Sequence, residues 1–392
     1  MNQVITNTLA PGQTVKVDPH KGTMLNNVSS QWWSRPDDQR FLNLADLEAK
    51  VLGRRQGATE GILDSTKLAF QAKPDDPNNL EVVYDGTPKK PNHWSFGQLC
   101  SLVKAPAGYL RGLPSTLAGI NLQYGFTNMR SSFVKMYNSP TEIYAATGPE
   151  YGRVFDHELV AAVRQVAGNG TGDTRWKIPG VIDWSTRRYN PFVEPTKDST
   201  TLYASDRDVF MFLVDDTHPI QIGKLDNGDP DIVFRGFFCW NSEMGSKTLG
   251  ISTFLFRAVC QNRCIWGAQD VQQVTIRHSK SAPDRFIQEV GPALVTYADA
   301  SDRVVINGIK AARDKVVADS DDARRTFLLD RKFTESQTSR IIAAVTNEEG
   351  HPATSIWDFV NGISAVARTV GYTDERVDME RRAGKLLAQA GR

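Results

Sequence analysis

Nowhere in its 392 residues does the chain run to the eighteen or so uninterrupted apolar residues that a helical membrane span requires. The stretch from Met1 to Ala10 carries neither a basic nor an apolar block, so no secretory signal is expected and the chain reads as cytoplasmic, with no membrane partner. Cysteine is scarce. Cys100, Cys239, Cys260 and Cys264 are too few and too irregularly spaced for a disulfide framework and are expected to remain thiols. An excess of either charge is missing as well: 46 basic and 45 acidic residues nearly cancel, which excludes a histone-like polycation and leaves any attraction to nucleic acid to a local patch. Catalytic signatures are also lacking. The glycine-rich Gly168-Asn169-Gly170-Thr171-Gly172 has neither the following Lys-Ser/Thr nor the third glycine of a phosphate-cradling loop, so no catalytic residue, metal ligand or cofactor is assigned.

What the sequence does have is 40% hydrophobic content, enough to bury a large core across two or three domains. Residues 1–148 read as a mixed α/β region. It has a short strand over Thr14 to Val17, helices over Ala45 to Leu52 and Ser95 to Val103, and two loop-like stretches, Lys73 to Asn79 and Asp85 to Asn92. Ser95 and Gln98 have the spacing of a capping box. Residues 149–300 read as an α+β core. Asp156 is placed to cap a helix whose Leu159, Val160, Val163 and Val166 share a face and which ends at Gly168. Val209 to Val214 is continuously apolar, as in a strand covered on both faces, and is expected to end in the turn-rich Asp215-Asp216-Thr217-His218-Pro219. Ile232 to Trp240 and Thr248 to Cys260 read as a long β-hairpin, Val271 to His278 as a further strand, and Pro283 as the start of a helix. The fold class is thus α+β, an antiparallel sheet with a long hairpin backed by helices. Residues 301–392 read as a helical region. Val304, Val305, Ile309, Ala312 and Val316 form one stripe; Thr334 and Gln337 have capping-box spacing; Trp357, Val360, Ile363 and Val370 mark another amphipathic helix. Such stripes suit a helical bundle or a dimerisation surface, and a homo-oligomer is expected.

Two segments carry a family resemblance. Arg257-Ala258-Val259-Cys260-Gln261-Asn262, followed by Ile276-Arg277-His278-Ser279, resembles the phage- and plasmid-like proteins of the domain of unknown function 932 family. There an Arg-x-Val-Cys-x-Asn strand precedes an Arg-His-Ser/Thr strand end. Upstream, Tyr151-x-x-Val-Phe-x-x-Glu-Leu is similar to that family's Tyr before the helix leading into the sheet. The resemblance spans residues 145–300 and departs at Arg263, where the family usually has Thr. It implies a mobile element in a bacterial host cell and brings no catalytic residues.

Three constellations remain to be weighed. Cys239, Cys260, Cys264 and His278 include zinc-type ligands, but Cys-x3-Cys inside a strand-like run is not a zinc-knuckle spacing, and cysteine is a common core filler. Asp206, Asp208, Asp215, Asp216 and His218 form an acidic cluster of the kind that holds divalent ions for phosphodiester cleavage; turn chemistry alone also selects Asp-Asp-Thr-His-Pro. Between Ile232 and Val290 lie Arg235, Lys247, Arg257, Arg263, Arg277, Lys280 and Arg285 against Glu243, Asp270, Asp284 and Glu289, interleaved with Phe237, Phe238, Trp240, Phe254, Phe256 and Trp266.

Cations that neutralise phosphates beside rings that stack on unpaired bases make a single-strand binding groove; the same aromatics also suit the core of a hairpin with the cations on its solvated face. The element order is similar to that of ring-forming single-strand annealing recombinases. The expectation is therefore a non-catalytic single-stranded DNA-binding or strand-annealing protein acting in recombination or replication. Its contact residues would be Arg235, Trp240, Lys247, Arg257, Arg263, Arg277, His278 and Lys280. A metal-dependent nuclease, and a protein-binding counter-defence factor using the C-terminal helices, stand as alternatives.

Overall fold

A computed structural model describes residues 8–10, 12–16, 35–73, 75–129, 133–183, 185–186, 188–224, 228–257, 262–264, 274–299, 301–367, 369–370 and 373–390. The chain opens with β1 (Val15–Lys16), β2 (Arg40–Phe41) and α1 (Leu44–Gln56), whose N-cap Asn43 accepts from the Asp46 amide at 2.8 Å. Next come β3 (Thr59–Asp64), β4 (Ala69–Lys73), β5 (Asp76–Tyr84) and β6 (Thr87–Pro91), then α2 (His93–Leu102), α3 (Ala107–Arg111) and α4 (Ser115–Thr127), and finally β7 (Phe133–Asn138) and β8 (Glu142–Thr147). These strands form one sheet in the order β3-β7-β8-β6-β5-β4. Leu99, Leu110, Leu122 and Phe126 from the helices close over Val82, Val134 and Met136 of the strands.

Two stretches expected as loops are largely strand. Asp85 (φ 51°) and Gly86 (φ 74°) make the two-residue turn joining β5 to β6, with Tyr84 opposite Thr87, and two positive φ angles are what an Asp-Gly hairpin turn supplies. Leu80 and Val82 alternate into the core, a period that the neighbouring Pro, Asn and Asp masked. The helix expected from Ser95 begins two residues earlier, because the Asn92 side chain accepts from the Ser95 amide at 2.8 Å.

After α5 (Asp156–Ala167) come β9 (Val181–Asp183) and β10 (Arg188–Asn190), and β10 pairs with β9 on one side and β1 on the other. The central sheet then builds from β11 (Leu202–Ala204), β12 (Val209–Lys224), β13 (Pro230–Asn241), β14 (Leu249–Arg257), β15 (Asn262–Cys264) and β16 (Val274–Ile276). Its order is β15-β14-β13-β12-β11-β2, with β16 beside β14 and every pairing antiparallel. The α+β hairpin architecture is as the sequence indicates. β12 does not stop at the Asp-Asp turn, however. Asp215 pairs with Arg235 and pairing resumes at Ile220 opposite Val233, so Asp216 to Pro219 form a bulge that kinks the strand without ending it.

One sheet face packs Met211, Leu213, Phe237 and Ile251 against Leu47 and Val51 of α1 and Leu159 and Val163 of α5. Residues 40–56 therefore belong to the central layer although they precede the N-terminal sheet. The other face is aromatic, with Phe210, Phe212, Phe234, Phe238 and Phe254 under Tyr189 and Val15.

The C-terminal part is helical: α6 (Ala282–Arg285) continues through a π-helical turn, Phe286–Val290, into α7 (Gly291–Asp299). Then follow α8 (Asp302–Asp314), α9 (Asp321–Asp330), α10 (Glu335–Glu349), α11 (Ile356–Ala367) and α12 (Thr373–Ala388). Thr334 and Gln337 form the expected capping box at the start of α10, each side chain bonding the other's backbone N–H at 3.2 and 3.0 Å. α11 is buried along its whole length. Its Trp357, Val360 and Ile363 pack with Ile309 and Ala312 of α8 and Ile341 and Val345 of α10, so these stripes close on one another inside the chain. Val316 lies past the end of α8 and is exposed.

Candidate functional site

The β13–β14 hairpin ends in Asn241-Ser242-Glu243-Met244-Gly245-Ser246-Lys247-Thr248, and the first four of these residues are buried. Trp94 Nε1 and Gln98 Nε2 donate to the Met244 carbonyl at 3.0 and 2.7 Å, and Tyr151 OH donates to that of Ser242 at 3.3 Å. The tip is thus a plug seated in the N-terminal sheet. Two fully buried carboxylates meet there, Glu243 of the tip itself and Asp156 beneath it. Arg54 donates from Nε to Glu243 at 2.7 Å, from Nη2 to Asp156 at 2.6 Å and from Nη1 to the Ser205 carbonyl at 2.7 Å. Asn241 Nδ2 and the Glu243 amide donate to the other Asp156 oxygen at 2.8 and 3.2 Å. Burial and, next, the neighbouring Glu243 lift Asp156 well above the usual carboxylate range. Asp156 is not the N-cap; it is the first residue of α5, the N-cap position is Phe155, and the Glu158 side chain accepts from the Phe155 amide at 2.8 Å.

The structure separates the expected contact residues into two groups. Arg235 is buried, donating to the Tyr297 carbonyl at 3.1 Å with its guanidinium 5.5 Å from the Tyr297 ring. Arg257 is buried as well. It forks onto Asp231 with two bonds of 2.9 Å and reaches Glu349 at 2.8 Å, tying the base of the hairpin to the helical part. Neither guanidinium faces solvent, and a phosphate at Arg257 would have to displace two carboxylates. For Arg263 the backbone pairs with Phe256; its side chain lies outside the described residues, as does that of Cys264, and so does Cys260 altogether.

The second group gathers at one end of the sheet. Leu249 pairs with Ile276, which brings Lys247, Arg277, His278 and Lys280 to the same edge. Lys247 is half-exposed and lies 3.5 Å from Asp208, while Arg277 and Lys280 are exposed, the latter 3.6 Å from Glu150. His278 is buried, stacks on Tyr151 with centroids 5.0 Å apart, and has Nδ1 3.1 Å from the Gly152 carbonyl. Burial chiefly lowers its pKa, so it is a neutral packing group beneath the cations.

Trp240 completes this edge. It pairs with Gly250, which pairs with exposed Thr275, so the three share one cross-strand row on the aromatic face. The half-buried indole lies directly over Gly250 and stacks on Phe238 at 5.2 Å. Ile276 is buried on the opposite face, so strand alternation carries Arg277 to the Trp240 side.

The acidic cluster does not converge. Asp208 holds Arg35 with bonds of 2.7 and 3.1 Å. Asp215 takes Arg175 at 2.6 Å and His218 at 2.5 Å on one side of β12, and Asp216 takes the Gly180 amide at 2.9 Å and Tyr189 OH at 2.7 Å on the other. Burial raises Asp216 to about 6. At Asp208 burial pushes upward, but the Arg35 bonds and charge outweigh it and hold the group at about 2. Among the described residues no three His, Cys, Asp or Glu side chains are grouped to hold a metal ion. Cys239 sits in the apolar core, where burial raises its thiol.

Residues 196–367 match the family described as Domain of unknown function (DUF932). Through this segment the chain is similar to the DUF932 family. No curated protein and no solved structure matches. The DUF932 segment takes in β11 to β16 and runs on through α11, so it includes helices that the sequence resemblance left out and excludes the Tyr151 motif. Among the described residues no helix is long and apolar enough to cross a membrane.

Sequence reasoning missed two surface features. Leu117, Ile120 and Tyr124 stand exposed on one side of α4, a stripe readable from its 3 and 4 spacing yet indistinguishable from a core stripe without the fold. The other is a cluster of cations between α9 and α12, whose members are far apart in sequence.

Proposed function

We propose that this protein is a non-catalytic binder of single-stranded DNA, encoded by a phage or plasmid and acting in recombination or replication in the bacterial cytoplasm. The observation that carries the reading is the sheet edge where half-buried Trp240 stands in one row with exposed Thr275, with exposed Arg277 following that strand and Lys247 and Lys280 at the same end of the sheet. Such an edge pairs a ring for an unstacked base with cations for the flanking phosphates. Arg235 and Arg257 play no part in this contact; they hold the sheet against α7 and the C-terminal helices. The separate internal partners of Asp208, Asp215 and Asp216 leave the nuclease alternative without an assembled centre among the described residues.

Fluorescence anisotropy of a labelled single-stranded oligonucleotide across a salt series tests this. Each phosphate contact contributes about 0.7 to the logarithmic salt slope, so replacing Lys247, Arg277 and Lys280 together by Ala lowers it by roughly two units. Binding of the unmodified protein that is absent at low salt overturns the proposal.

A further inference from the structure

Between the end of α9 and the last helix lies a cavity of about 180 Å³ lined by four cations, Arg331, Lys332, Arg382 and Lys385, over a floor of Phe333 and Leu386, with no carboxylate in its wall. Two of the cations are fixed by rings. The Arg331 guanidinium lies 3.6 Å from the Phe327 ring and donates to the Phe327 carbonyl at 2.9 Å; that of Arg382 lies 4.9 Å from the Phe333 ring and donates to the Lys332 carbonyl at 3.2 Å. Asp378 pairs with Arg382 at 3.0 Å, whereas Lys332 and Lys385 have no ion-pair partner among the described residues.

Lys332 also sits in a backbone conformation that its side chain disfavours. α9 closes with the Phe333 amide on the Leu328 carbonyl at 3.2 Å and the Lys332 amide on the Leu329 carbonyl at 2.9 Å, the pattern of a Schellman cap. The residue at its left-handed position is usually Gly; here it is Lys332, with φ 66°. A lysine in this conformation at the rim of a cationic cavity points to a use for its charge there.

We propose that this cavity binds a terminal phosphate monoester. Four cations around an apolar floor suit a compact dianion with an organic body, and the volume, below the roughly 300 Å³ of an ordinary ligand pocket, suits the phosphate group rather than a whole large cofactor. The phosphate comes from a free nucleotide or from the 5′ end of a DNA strand, two sources of the same chemistry. The cavity lies apart from the Trp240 edge, so the proposal stands independently of the reading given above.

Calorimetric titration at low ionic strength uses adenosine 5′-monophosphate, adenosine and inorganic phosphate, and anisotropy compares 5′-phosphorylated with 5′-hydroxyl oligonucleotides in the Lys247, Arg277 and Lys280 triple-Ala background. Lys332→Gly suits its backbone position and Lys385→Gln lies on an exposed helix face, so both are expected to fold, with melting temperatures as the check. Each variant weakens the phosphate-dependent binding by about tenfold or more, the loss of one charge-assisted bond. Binding of the monophosphate but not of adenosine assigns a free nucleotide; binding confined to the 5′-phosphorylated strand assigns a strand end. No phosphate-dependent binding of any probe, or binding unchanged in both variants, overturns the proposal.

Discussion

Replacing Arg54 by Met deletes three charge-assisted hydrogen bonds at once and strands the Asp156 and Glu243 carboxylates, both fully buried, at the hairpin tip. Methionine keeps most of the aliphatic packing, so the loss is electrostatic. Removing one partner of a buried ion pair costs about 3–5 kcal/mol, which is a large share of the roughly 5–15 kcal/mol by which folded chains are stable.

The deficit depends on pH in a direction fixed by Asp156. Burial and Glu243 raise its folded pKa, so its contribution is fully present below the unfolded value near 4 and is lost as pH rises through the folded one. Without Arg54 the folded value climbs further, and the variant recovers part of its stability at pH 5 relative to pH 8. Urea unfolding followed by tryptophan fluorescence measures both. Adding Asp156→Asn to the variant removes one stranded charge and returns at least about 1.5 kcal/mol at pH 8 as a coupling between the two sites. A single variant within about 1 kcal/mol of the parent at pH 8, or a double variant no better than the single one, refutes the account of the tip as a charge-balanced plug.

Two further tests concern the same edge of the sheet. Asp208 is held at about 2, so its pairing with Arg35 contributes stability that is present above pH 4 or so and is lost as pH falls through 2, on the order of 2–3 kcal/mol; Asp208→Asn flattens that acid limb in urea titrations, and an unchanged limb counts against the pairing. A Cβ at Gly250 would lie 2.1 Å from the Trp240 indole, so Gly250→Ala destabilises by about 1–3 kcal/mol; the loss shrinks when Trp240 is Leu, and an equal loss in both backgrounds would show that the ring does not rest on the glycine.

Features set by local chemistry were legible in the sequence. The Val209 to Val214 run gave a strand buried on both faces, the Ile232 and Thr248 segments gave the hairpin, and Thr334 with Gln337 gave the start of α10, since each depends on residues within a few positions of one another. Where local signals compete, the reading failed in a definable way. Pro, Asn and Asp around β5 and β6 spoke for loops, and the Asp85-Gly86 turn that decides the matter weighs only two residues. Asp215 to Pro219 carry every mark of a turn, yet pairing on both sides absorbs them as a bulge in a continuing strand.

The site was harder to read because a cation's role is set by partners that sequence distance hides. Arg54 meets Asp156 at a separation of 102 residues and Glu243 at 189, and Arg257 meets Glu349 at 92. Counting charges between Ile232 and Val290 gave an excess of positives, but the count treats Arg257, bound to two carboxylates, as equal to Arg277, which is exposed. Burial is what distinguishes them: a buried guanidinium must be matched inside the fold or its desolvation is uncompensated, so the arginines deepest in the hairpin are the ones least available to an outside anion. Cations open to solvent are therefore found at the margins of the fold, among them those at the tip-side edge of the sheet and those around the cavity at Lys332. Neither set is contiguous in sequence, and both follow from which strands and helices end side by side.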